Sequence, residues 1–208
     1  FQRASVAIHQ GTLASVTESI FEVLLKLGLF PMLLIGVAGE NLFLVIFGSV
    51  WSEAGVYAQL LSIWAIVWFL SSPLSTIFAV REKITLGLGL STLNFTTRLA
   101  ALVIGGVMGS ELLAIALFSL SGIITYGTTC SISLRLAGVT YGGILKTVLR
   151  QVRQAGIFII PVVVIQFLFP SPLYVVVAAV LCAIGYYLDV YFRDPQFKKL
   201  AGTIMKRT

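Results

Sequence analysis

The stretch "SVTESIFEVLLKLGLFPMLLIGVA", Ser15 to Ala38, decides the fold class. It is 24 residues long, about the length an α-helix needs to cross the ~30 Å hydrocarbon layer of a bilayer. A transmembrane β-strand needs only about 9–11 residues of alternating polarity. This run is too long and too continuous for that, so it reads as a membrane helix. Pro31 predicts a kink. Three charges, Glu18, Glu22 and Lys26, recur at i, i+4 and i+8 and therefore share one face.

Working outward, five more segments follow the same pattern. They lie near 52–80, 84–108, 111–137, 155–169 and 173–192. The apolar piece Asn41 to Phe47 is too short to span and is read as a separate connection. The amphipathic basic stretch "YGGILKTVLRQVRQ", Tyr141 to Gln154, is read as a connection between the fourth and fifth spans. The whole chain is 58% hydrophobic and 11% charged, with mean hydropathy +1.02, more apolar surface than a water-soluble domain can bury. The expected fold is an all-α polytopic membrane protein with six transmembrane helices. Residues 1–14 read as a polar leader and 193–208 as a basic tail. The chain starts at Phe1 and carries no signal-peptide pattern, so it is expected to be a piece of a longer protein.

Charge gives the orientation. Arg3, Arg81, Lys83, Arg135, Lys146, Arg150, Arg153, Arg193, Lys198, Lys199, Lys206 and Arg207 fall in one set of connections. Glu40, Glu53 and Glu111 fall in the other, which has no Lys or Arg. Under the positive-inside rule both termini are expected to be cytoplasmic. The net charge of +6 is accounted for this way and implies no nucleic acid. Trp51 is expected to anchor at the outer interface, with Trp64 and Trp68 packed more deeply.

Soluble-enzyme chemistry is missing from the sequence. There is one histidine, His9, in the leader, and no metal cluster, Walker loop or nucleophile elbow. Cys130 and Cys182 sit in apolar runs and read as packing. No metal or cofactor is expected, and no enzymatic activity.

Polar groups inside the spans carry the signal. Ser91, Asn94, Arg98 and Ala101 follow i, i+3, i+7, i+10 on one helical face, with Thr97 on its flank. A guanidinium does not readily shed its proton. Arg98 therefore meets an anionic headgroup, or else caps carbonyls or snorkels to an interface. Glu22 and Lys26 read as an intrahelical pair, or as a coupling carboxylate (with Glu18) beside a substrate-facing lysine. Ser121, Thr125, Thr128 and Thr129, with Tyr126, either bond the preceding turn or line a sugar-binding cavity. Gln59 and Gln166 are isolated polar groups, and Asp189–Arg193 reads as an i, i+4 pair. Gly105 and Gly109 form a GxxxG spacing compatible with close helix packing.

The stretch "LVIFGSVWSEAGVYAQLLSIWAIVWFLSSPLSTIFAV", Leu44 to Val80, resembles the Wzx-type polysaccharide flippases of the MOP superfamily. The matching positions are Phe47-Gly48, Trp51, Ala54-Gly55, Tyr57 and Ser72-Pro73-Leu74; "LNFTTRLAALVIGG" resembles the family's next helix. The resemblance implies the C-terminal lobe of a two-lobe transporter. It implies flipping of undecaprenyl-pyrophosphate-linked oligosaccharide across the bacterial inner membrane for surface polysaccharide, with coupling to H+ or Na+. The implied partners are the N-terminal lobe, the bilayer and a polysaccharide polymerase. On this reading Arg98 and Lys26 attract the pyrophosphate, and Ser91, Asn94, Glu22, Ser121, Thr125, Thr128 and Gln59 are cavity-lining candidates. Rival expectations are a multidrug/cation antiporter, a peptidoglycan-precursor flippase, a membrane enzyme of polysaccharide assembly and a purely structural subunit.

Overall fold

The computed structural model describes residues 12–169 and 171–194. His9, the leader up to residue 11 and the basic tail beyond residue 194 lie outside the described residues. Among the described residues seven α-helices follow in order: α1 Leu13–Phe47, α2 Ser52–Leu74, α3 Thr76–Val80, α4 Ile84–Val107, α5 Glu111–Ala137, α6 Tyr141–Leu168 and α7 Pro172–Arg193. A 3-10 turn, Ser49–Trp51, joins α1 to α2, and no strand occurs among the described residues. With α2 and α3 counted as one segment, six are long and apolar enough to cross a membrane. The chain is thus an all-α polytopic membrane protein.

Two boundaries differ from the sequence reading. Asn41 to Phe47 is the last part of α1, a single helix of 35 residues and so about 52 Å long. Tyr141 to Gln154 is the first half of α6 rather than a separate connection. In both cases a change in polarity was read as a break. Backbone hydrogen bonding continues through such a change, and through Gly39 and Gly156 beside the two points, because in apolar surroundings each N–H and C=O needs its helical partner.

Pro31 lies inside α1 without ending it. A proline at this position removes the hydrogen bond to the carbonyl four residues back, which is Leu27. The Tyr187 hydroxyl on α7 donates to that carbonyl at 3.0 Å, and Tyr186 donates to the neighbouring Lys26 carbonyl at 3.1 Å. The lost bond is made good by another helix, as an apolar solvent demands. Tyr186 is fully buried and stacks on Phe30, with centroids 4.5 Å apart. Elsewhere turn chemistry sets the ends. Gly138, at φ +91°, closes α5, with its N–H and that of Val139 bonded back to Arg135 and Leu134. Ser110 caps the start of α5 by accepting from the Leu113 N–H.

The helices pack as a row: α4 on α5, α5 on α2, α2 on α1, and α1 on both α6 and α7. Small residues set the closest approaches. A Cβ on Gly55 of α2 would fall 2.7 Å from the Gly39 carbonyl of α1, and one on Gly105 of α4 would fall 2.6 Å from the Ala114 nitrogen of α5. Gly109 instead forms the left-handed turn after α4, at φ +64°, so the GxxxG spacing is not one packing motif. Large apolar side chains such as Phe95, Leu99, Val103 and Leu181 remain exposed on the bundle's outside. Lipid is the solvent such a surface requires. Trp51 is exposed at the turn after α1. Trp64 and Trp68 stack on one another. Cys130 is buried and Cys182 half-buried, both as free thiols.

The glycines separate by environment, which gives a first prediction. Gly55→Val should destabilise the bundle by about 1–3 kcal/mol or more, because backbone lies where the side chain must go. Gly89→Ala, at a position with no atom within 4 Å, should cost nothing. Thermal unfolding of the purified variants in detergent measures both.

Candidate functional site

Two groups of charge are built into the bundle. The first surrounds Arg98. The periodicity of α4 turns Asn94, Arg98, Ala101 and Gly105 towards α5, while Ser91 stays exposed. Asn94 anchors this face: its Oδ1 accepts from Thr125 at 2.8 Å and its Nδ2 donates to the Tyr126 hydroxyl at 3.2 Å. One turn further along, the Arg98 guanidinium lies among three aromatic rings. Its Cζ is 4.2 Å from the centroid of Phe118, 4.6 Å from Trp64 and 5.1 Å from Tyr126. Gly122 makes room for it, since a Cβ there would stand 2.7 Å from both Arg98 Nη2 and Trp64 Nε1.

Arg98 is not a carbonyl cap: among the described residues it donates to no backbone carbonyl. Arg98 Nε and Nη2 are buried with no hydrogen-bond acceptor among the described residues, and so is Trp64 Nε1. Placing an arginine at the centre of a membrane helix costs roughly 2.5–3.5 kcal/mol on insertion scales. A desolvated cation–π contact returns up to ~2 kcal/mol. Stacked rings therefore hold the charge at a tolerable cost while leaving its N–H donors unused. Arg98 Nε and Nη2 are unmet N–H donors, the chemistry that receives an anion.

The second group lies between α1, α6 and α7. Lys26, only 9% exposed, pairs with Glu22 at 2.6 Å and with Asp194. Glu22 also holds Arg150 of α6 at 2.7 Å. Asp189 accepts from Gln154 at 2.7 Å and pairs with Arg193 at 2.6 Å. A cleft of about 420 Å³ opens here, with Lys26, Arg150, Arg153 and Gln151 in its wall. Glu18 sits over the first turn of α6, where a Cβ on Gly143 would be 3.2 Å from its Oε1. A carboxylate is favoured there by the helix dipole.

The structure thus sorts the sequence-derived candidates. Asn94 and Thr125 stand beside Arg98. Ser121 is on the same stretch of α5 but donates to the Phe118 carbonyl at 3.0 Å. Ser91 and Thr128 are exposed and bond their own preceding turns, to Gly87 and Ile124. Gln59 belongs to the α1–α2 contact, donating to the Val37 carbonyl at 3.0 Å. Lys26 is not a neighbour of Arg98. It is matched by two carboxylates in a different cleft, so the two cations do not form one receptor. Both expected i, i+4 pairs, Glu22–Lys26 and Asp189–Arg193, are present. Sequence reasoning missed Phe118, Tyr126 and Gly122 as Arg98's surroundings, and Asp194 and Arg150 as partners in the ion network. Their spacing along the chain carries no signal of these contacts.

At the opposite end of the bundle from this network, Tyr57 reaches both Glu53 at 2.6 Å and Glu111 at 3.0 Å, and Ser52 donates to Glu40 at 3.0 Å. The bundle therefore has one acidic and one basic end. What these features define is a membrane-embedded helical bundle with a caged cation in its middle. Comparison with known protein families, curated proteins and solved structures finds no match to this chain.

The ion network makes a quantitative prediction. Lys26→Met takes the ammonium from two carboxylates and should destabilise the protein by about 3 kcal/mol. Adding Asp194→Asn should recover part of that loss. Unfolding of the single and double variants in detergent forms the cycle that measures it.

Proposed function

We propose that this chain is one lobe of a flippase that moves undecaprenyl-pyrophosphate-linked oligosaccharide across the bacterial cytoplasmic membrane, for surface polysaccharide synthesis. The observation that carries the reading is Arg98: a permanent cation inside the bundle whose Nε and Nη2 donors meet no acceptor among the described residues. The resemblance of Leu44 to Val80 to the Wzx-type transporters supplies an anion of matching chemistry. A pyrophosphate accepts several charge-assisted hydrogen bonds and can take both arms of a guanidinium at once.

In this proposal the basic end of the bundle faces the cytoplasm and both chain ends lie on that side. The substrate's pyrophosphate is drawn from the cytoplasmic leaflet to Arg98, whose aromatic walls part to let it in. Trp64, Phe118 and Tyr126 then offer faces to sugar rings, and Asn94 and Thr125 offer polar contacts. The polyprenyl tail stays in lipid, outside the exposed apolar face of α4. A second lobe closes the other side of the cavity, and rocking of the two lobes exposes it to each leaflet in turn. Downhill H+ or Na+ drives the cycle, with Glu18 and Glu22 as coupling carboxylates, and a polymerase receives the flipped unit. Lys26 holds the basic end of the lobe together through Glu22 and Asp194 instead of joining Arg98.

Complementation of a flippase-deficient strain with the full-length gene tests this. Arg98→Gln should reduce surface polysaccharide by tenfold or more, while membrane levels of the protein hold steady. A neutral side chain there removes the charge cost, so folding is not the expected casualty. Arg98→Lys should fall between, keeping the charge but losing the planar fork. Wild-type export from Arg98→Gln would sink the proposal.

A further inference from the structure

The cleft at the basic end has donors and acceptors that the ion network does not use up. Arg153 lines it, is exposed, and has no partner among the described residues. Arg150 is paired with Glu22 yet half-exposed. Gln151, in the same wall, is only 1% exposed, and its Oε1 has no hydrogen-bond partner. An unmet buried acceptor is costly and calls for a donor. A ligand that satisfies both kinds of group carries a phosphate for the arginines and a hydroxyl or ammonium for Gln151.

The depth of the cleft says where such a ligand comes from. At about 1.5 Å per residue, roughly 20 helical residues cross the hydrocarbon layer. Counted from the other ends of α6 and α7, roughly 20 residues arrive at Leu149 and Tyr191. Arg150 and Arg193 lie within a turn of those points, so the cleft opens at headgroup level. An apolar track leaves it along α6. Ile157, in the cleft wall, is 62% exposed, and Ile160 and Val164 continue at i+3 and i+7 with 62% and 45% exposed. That stripe offers an acyl chain a path from the charged cleft into the bilayer.

We infer that this cleft binds a phospholipid headgroup that carries hydrogen-bond donors beyond its phosphate, with Arg153 and Arg150 on the phosphate, Gln151 on the donor, and an acyl chain along Ile157, Ile160 and Val164. A volume of about 420 Å³ is of the size of small-ligand pockets. Phosphatidylglycerol and phosphatidylethanolamine meet the requirement; phosphatidylcholine, whose headgroup has no N–H or O–H, does not. The inference is independent of the role proposed for Arg98, which belongs to a different pair of helices.

Native mass spectrometry of the full-length protein in detergent, titrated with dioleoylphosphatidylglycerol, tests it. Phosphatidylglycerol should bind more tightly than phosphatidylcholine of the same chains. Arg153→Gln should weaken phosphatidylglycerol about tenfold, the scale of one charge-assisted contact. Lys146→Gln, an exposed cation two turns away on α6 and outside the cleft, should leave binding unchanged. Equal binding of the two lipids, or equal weakening by Lys146→Gln, would mean general surface attraction and overturn the site. Soluble glycerol 3-phosphate binding as tightly as the lipid would assign the cleft to a free phosphate and overturn the lipid assignment.

Discussion

Hydrocarbon cannot hydrogen-bond, and everything in this bundle follows from that. A polar group in the span must find its partner within the protein or do without one at a cost of several kcal/mol. The backbone responds by remaining helical through every segment. Side-chain hydroxyls respond by bonding their own preceding turns, as Thr92, Thr96, Thr97, Thr129 and Ser131 do. Where proline breaks the ladder in α1, two tyrosines of α7 reach across to the carbonyls there. Buried Tyr186 thus ties a local backbone defect to the packing of the hydrophobic core.

The same constraint explains how the two intramembrane cations are handled. Lys26 has opposite charges within reach, from its own helix and from the end of α7, and is neutralised by them. Arg98 has no carboxylate beside it. It is accommodated by π-faces, which lower the energy of a cation without using its N–H donors. One arrangement is matched by carboxylates; the other leaves capacity for an anion. Equal formal charge therefore does not mean equal role, and the difference lies entirely in what surrounds each group.

Much of the fold was legible in the chain. Six long apolar runs, a one-sided distribution of Lys and Arg, and polar stripes at helical spacing identify a membrane bundle and the face that Asn94 and Arg98 share. The two misjudged boundaries have one cause. Composition changes at Asn41 and at Gln154, but helix termination depends on backbone geometry and capping. The chain punctuates with positive φ at Gly48, Gly109 and Gly138, and at Glu82 in the turn before α4. The site was half legible. The periodicity of α4 pointed to the right face, and Trp64 was read as deep. That Trp64 of α2 and Phe118 and Tyr126 of α5 converge on one guanidinium depends on how three helices lie side by side.

By itself, then, the sequence determined the class of protein, its number of crossings and the faces its polar residues occupy. Those properties arise from hydrophobicity and from the 3.6-residue period, both local to the chain. Only the tertiary structure decided which groups meet: that Lys26 is spent on Glu22 and Asp194, that Arg98 is caged and unpaired, and that Ser91, Thr128 and Gln59 stand apart from it. Those outcomes are set by close approaches at Gly39, Gly55, Gly105 and Gly122, where the absence of a side chain fixes how helices far apart in sequence come together.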